Sequence, residues 1–140
     1  MGQNSSQSMP PSAQMMQLIF GFMPSQAIST AARFGIADLL KDGPKNADEL
    51  AQATGKHPRA LYRLLRALAS VGVFSQDADG RFRLTPVAET LRSDAPDSLR
   101  SFAIFMGADW HLQTWGGLPY SVETGQPAFE QAHGKAFFDY

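Results

Sequence analysis

Three arginines, Arg59, Arg63 and Arg66, recur at i, i+4 and i+7, so a helix would gather them on one face. Such a face suits phosphates and base edges when the helix lies in a major groove, and it equally suits plain water. Arg81 and Arg83 follow nearby, but Asp77 and Asp79 stand beside them. The histidines are His57, His111 and His133, none paired with another at the spacing of helical metal ligands. Asp109 and His111 are two residues apart and diverge on a helix, so no metal site is expected. Glu123 and Glu130 are isolated carboxylates and read as solvated. There is no cysteine, which removes thiolate nucleophiles, thiolate metal centres and disulfides. No nucleophile elbow is present either. No catalytic residue is therefore assigned. His111, next to Trp110, has two open readings: a polar contact in an otherwise apolar pocket, or a partly buried structural histidine.

Residues 46–85 supply the framework around these side chains. Asn46 with Glu49 three residues on makes a variant capping box, and Ala47, Leu50 and Ala51 line one face. Gly55 suits a left-handed helix end, and Pro58 suits the first turn of the next helix. Leu61, Leu64, Leu65 and Leu68 then form one apolar stripe opposite the arginines. Gly72 stops that helix. Val73 and Phe74 begin a strand, Asp79-Gly80 marks a turn, and Phe82 and Leu84 alternate with Arg81 and Arg83. Thr85-Pro86 caps another helix carrying Val87, Ala88 and Leu91. Helix, turn, helix and two-stranded ribbon in this order predict a winged helix, a unit used both for DNA binding and for pairing subunits inside enzymes.

The chain has 140 residues, 44% hydrophobic and 18% charged, which fits one globular domain with one core. A net charge of −1 gives no general attraction to nucleic acid. Residues 1–14 are polar and rich in Ser, Gln and Pro, and read as a disordered tail without the basic region of a secretory signal. Residues 15–23 are strongly apolar but too short to span a membrane. A helical pattern resumes through Ala27, Ile28, Ala31 and Ala32, with Pro24 expected to kink or restart it near Ser25. Ile36 to Leu40 reads as another short helix.

Residues 95–140 hold nine of the fifteen aromatics. Leu99, Ala103, Met106 and Trp110 are expected to share a helical face. One layer of helices cannot hide this much apolar surface, so a second subunit or a second domain should cover it. The last residues, AFFDY, stop in mid-pattern, as an interrupted sequence would.

The ordered series SQAISTAARFGIADLL, ADELAQATG, ALYRLLRALASVGVF and RFRLTPVAETL resembles the N-terminal dimerisation domain of S-adenosylmethionine-dependent O-methyltransferases. The subgroup is the bacterial and plant small-molecule type, including the hydroxyneurosporene and polyketide-tailoring enzymes. WGGLPYSVETGQPAFEQAHGKAFFDY is similar to the helical linker before their catalytic domain, so the resemblance covers 15–140. It implies a mainly α fold: a tail over 1–14, a winged-helix dimerisation domain with a small two-stranded β-wing over 15–93, and linker helices over 94–140. It implies a homodimer, cytoplasmic, touching neither membrane nor nucleic acid. The family's cofactor sits on a doubly wound domain at a Gly-rich loop, and its catalytic His belongs there too. Nothing in this sequence reads as that loop, because Gly116-Gly117 is a lone pair in a helical stretch. S-adenosylmethionine is therefore expected only in a longer enzyme, methylating a hydroxyl of a small, aromatic acceptor. Helices of the dimerisation domain border the acceptor cavity in the family, which makes Phe20, Met23, Met106, Trp110, His111 and Trp115 the candidate pocket residues. The runner-up readings are a winged-helix transcriptional regulator and a free-standing dimerisation module.

Overall fold

The computed structural model describes residues 8–140. Its helices begin with α1 (Pro11–Ile19), α2 (Phe22–Arg33), α3 (Ile36–Leu40), α4 (Ala47–Thr54) and α5 (Pro58–Ser70). A ribbon of β1 (Phe74–Gln76) and β2 (Phe82–Leu84) follows, then α6 (Pro86–Glu89), α7 (Arg100–Met106), α8 (Asp109–Gly116), α9 (Leu118–Thr124) and α10 (Ala128–His133). A 3-10 turn at Phe137–Asp139 closes the chain.

Local chemistry accounts for the central unit. The Asn46 side chain accepts from the Glu49 N–H at 2.8 Å, and the Glu49 carboxylate accepts from the Asn46 N–H at 2.9 Å, so the capping box is complete. Gly55 ends α4 at φ 69°, a conformation that penalises any residue with a Cβ. Replacing Asn46 by Ala should lower stability by about 1 kcal/mol. Thermal unfolding checks this, with a melting temperature several degrees below that of the parent expected. His57, to which the sequence assigned no role, caps α5 by accepting from the Ala60 N–H at 3.4 Å.

The ribbon is antiparallel, with Phe74 opposite Leu84 and Gln76 opposite Phe82. Phe74 and Phe82 point inward and are fully covered. Lys45 adds a bridge outside the sequence reading: its N–H donates to the Phe82 carbonyl at 3.0 Å, and the Phe82 N–H donates back at 2.8 Å. The core joins Ile36, Leu40, Leu50, Leu61, Leu65, Leu68, Phe74 and Phe82. Leu64, the fourth member of the predicted stripe, is only partly buried beside it.

Three expectations need correction. The tail assigned to 1–14 is too long, because α1 starts at Pro11; residues 1–7 lie outside the described residues. Pro11 stands at the first position of α1, where its missing N–H is no loss. The helix break falls at Phe20-Gly21, not near Ser25. Pro24 sits in the first turn of α2, where the N–H groups have no intrahelical partner. The face expected to run from Leu99 to Trp110 is interrupted, since α7 ends at Met106 and α8 starts only at Asp109. Beyond these corrections, α7, the first helix of the expected linker over 94–140, packs along α2, with Ala103 against the core.

Candidate functional site

The six candidate pocket residues fall into three places flanking α2. Phe20 and Met23 line a cleft of about 520 Å³ with Met16, Ala27, Leu68 and Val71, between the first two helices and α5. Met106 lines a second cleft of about 400 Å³ with Ser25, Ile28, Leu99 and Phe102. Trp110, His111 and Trp115 stand on α8 in an aromatic cluster.

Trp110 is the hub of that cluster. Its ring centroid lies 5.0 Å from Phe105, 6.0 Å from both Phe129 and Phe137, and 6.2 Å from Tyr140. Phe105 and Phe129 meet it edge-on, as the aromatic quadrupole favours, while Phe137 and Tyr140 are tilted. His133 ties α10 to α8, with Nε2 3.1 Å from the Trp110 carbonyl and 3.2 Å from Thr114 Oγ1. His111 is held differently. The Trp115 indole N–H donates to His111 Nε2 at 3.0 Å, and the imidazole lies 5.3 Å from the Phe105 ring and 5.4 Å from that of Trp110.

Two straps set where α8 stands. The Arg33 guanidinium donates to the Gly107 carbonyl at 3.2 Å, and Arg100 Nε donates to the Ala32 carbonyl at 2.9 Å. Ser29, 2% exposed, faces Gly107 so closely that a Cβ there would lie 2.0 Å from its hydroxyl oxygen. Sequence reasoning missed this contact, and an isolated glycine between two helical segments was its only trace.

The arginine face is where the spacing placed it: Arg59, Arg63 and Arg66 are all exposed on α5. Arg66 donates to the Tyr62 hydroxyl at 3.3 Å. At the wing, Arg83 pairs with Asp77 at 3.1 Å. Desolvation pushes the Asp77 carboxyl up, but the Arg81 N–H, the Arg83 guanidinium and the Asp79 N–H outweigh it and hold the carboxyl below its ordinary value. Asp77 is thus held in its charged form as the partner of Arg83.

Among the described residues, the glycine pair does not fit a nucleoside cofactor. No group of three or more His, Cys, Asp or Glu side chains comes together among the described residues. The Gly116-Gly117 pair closes α8 and opens α9, and a Cβ on Gly117 would meet that of Ala128 at 2.8 Å. The second glycine therefore serves close helix packing and leaves no cradle for a ligand. No helix among the described residues is long and apolar enough to cross a membrane.

The fold and sequence can be set beside known proteins. Residues 16–94 match the family described as O-methyltransferase dimerisation domain. The chain is 41% identical over 137 residues to the phenazine O-methyltransferase PhzM of Lysobacter antibioticus, covering 98% of this chain and 40% of that protein. It is 39% identical over 126 residues to the O-demethylpuromycin-O-methyltransferase of Streptomyces alboniger, covering 90% and 33% respectively. Among solved structures, LaPhzM superposes with a TM-score of 0.90 at 42% identity, over 94% of this chain and 40% of that one. The mitomycin 7-O-methyltransferase MmcR gives 0.84 at 36% identity, over 91% and 38%. The chain thus spans between a third and two fifths of the length of these relatives. With the winged helix, its ribbon and the flanking helices all accounted for, this chain belongs to the O-methyltransferase dimerisation domain family.

Proposed function

We propose that this chain pairs two subunits and walls one side of the acceptor pocket in an S-adenosylmethionine-dependent O-methyltransferase. The acceptor is a small aromatic molecule bearing a hydroxyl, and the enzyme works in the cytoplasm without nucleic acid or membrane. One observation carries the pairing: large apolar side chains stand uncovered along α1, α2 and α7. Leu18 is 76% exposed, Phe22 60% and Phe102 59%, and α1 contributes no buried residue at all. Contiguous apolar surface of this kind marks an interaction face, and two-fold pairing buries it against its own copy. The acceptor class rests on the relatives, whose names specify a phenazine, 3-amino-4-hydroxybenzoate and a dihydroxynaphthoate. The cofactor rests on solved relatives that hold S-adenosylhomocysteine or S-adenosylmethionine. No step of the transfer is assigned to residues of this chain.

Sedimentation at low micromolar concentration tests the pairing. A homodimer burying more than ~2,000 Å² is expected. A stable, well-folded monomer would defeat it. Titration calorimetry with S-adenosylmethionine tests the division of labour: the 140-residue chain should take up none. One micromolar site per chain would place the cofactor domain where these helices are.

A further inference from the structure

The contact between Trp115 and His111 determines more than packing. An indole nitrogen can only donate a hydrogen bond. With Trp115 Nε1 3.0 Å from His111 Nε2, that imidazole nitrogen must be the bare, accepting one. In the neutral ring the single proton is then on Nδ1. Nδ1 has no hydrogen-bond partner among the described residues, and no buried side-chain nitrogen is left unpartnered. Nδ1–H therefore keeps some surface that the protein does not cover. It points from a ring bordered by Phe105 at 5.3 Å and Trp110 at 5.4 Å. A fixed donor between aromatic faces is suited to a flat aromatic molecule carrying an acceptor oxygen.

We propose that Trp115 is a specificity-determining, positioning residue: it locks His111 in the Nδ1–H tautomer, so that this corner selects aromatic ligands with a carboxylate, carbonyl or phenolate oxygen over equally flat ones without. Trp115 itself need not touch the ligand. It fixes the proton's place, much as an outer carboxylate or carbonyl orients a metal-bound histidine by bonding its other nitrogen. Without the indole donor the ring is free to carry its proton on Nε2 and to offer a lone pair at Nδ1. The same corner would then repel an acceptor oxygen. The ligand half of this inference rests on the acceptor-pocket reading above. The tautomer half does not.

The test uses the full 140-residue chain labelled with nitrogen-15 histidine, at about pH 8, where an ordinary imidazole is neutral. Long-range proton–nitrogen correlation spectra distinguish the two ring nitrogens, and His111→Phe assigns the signals. In the parent chain His111 should show a protonated Nδ1 and a bare Nε2. In Trp115→Phe, which keeps an aromatic ring, the proton should shift towards Nε2. Two probes follow: 2-naphthoate, which has the acceptor oxygen, and naphthalene, which lacks it. 2-Naphthoate should move the Nδ1–H resonance, and Trp115→Phe should weaken it roughly tenfold, the worth of one charge-assisted hydrogen bond. Naphthalene should bind both forms alike. The Trp110 indole signal reports whether the cluster is intact in each variant. A parent His111 protonated on Nε2, or a tautomer unchanged in Trp115→Phe, overturns the proposal while leaving the pairing and pocket readings standing. The expected tautomer with a 2-naphthoate that leaves the Nδ1–H signal unmoved overturns the ligand assignment alone.

Discussion

Phe82→Ala should destabilise the chain by about 3–5 kcal/mol, the usual cost of emptying a buried phenylalanine site. Phe82 has no exposed surface, and its ring meets Tyr62 edge-on at a centroid distance of 6.0 Å. Its backbone bonds to Lys45 survive the substitution, so the loss is one of packing and not of strand pairing. The cavity opens where the wing, the α3–α4 connection and α5 converge. Those elements are joined through other residues as well, which limits how far they can collapse into the space. Small domains hold only about 5–15 kcal/mol in all, so this one change removes a large part of the margin. Urea unfolding at fixed protein concentration measures it, the concentration being held because pairing adds to apparent stability. A loss under about 1 kcal/mol would mean that the wing is not part of the core.

Gly107→Ala should cost about 1–3 kcal/mol, the range for forcing extra atoms into a packed contact. The backbone of Gly107 is at an ordinary negative φ of −97°, so left-handed strain plays no part. The clash is with Ser29, whose Oγ and Cβ would lie 2.0 and 2.4 Å from the new methyl group. Rotating the serine hydroxyl relieves the first contact but not the second. Either α2 and α7 separate, or the Arg33 bond to the Gly107 carbonyl breaks. Ser29→Gly in the same chain removes both obstructing atoms and should restore much of the loss. The double-mutant cycle is therefore the decisive measurement. Additive costs would show that the two residues do not obstruct each other. Because α8 begins two residues after Gly107, the single variant should also disturb the tryptophan fluorescence of Trp110 and Trp115.

Much of the central unit was legible because its signals are local. A capping box needs residues three apart, an amphipathic stripe needs one helix, and a wing turn needs Asp79-Gly80. Each is decided within about ten residues of chain, where side-chain periodicity and backbone hydrogen bonds dominate. The α3 helix, the Gly55 end of α4 and the Thr85 cap were legible for the same reason. The helix break near residue 20 was less legible. Proline draws attention, but its position in a first turn is harmless, and the actual break falls at Phe20-Gly21, three residues before it. The candidate pocket was the least legible part. Aromatic content indicated where apolar surface accumulates, yet the six residues that the family resemblance nominated separate into two clefts and one cluster.

Residue type and short spacing were enough for the winged-helix order, the gathering of Arg59, Arg63 and Arg66 on one face of α5 and the absence of any thiol. Tertiary structure alone decided the Lys45 bridge to Phe82, the Ser29–Gly107 approach, and the arginine straps from Arg33 and Arg100. It also decided the tautomer of His111 through a bond to Trp115. Lys45 and Phe82 are 37 positions apart in the numbering, and Ser29 and Gly107 are 78 apart. No periodicity links residues at such separations. They meet only because α2, α5 and α7 close on a shared core, and the chain reaches that arrangement through the summed burial of apolar surface, a force without direction.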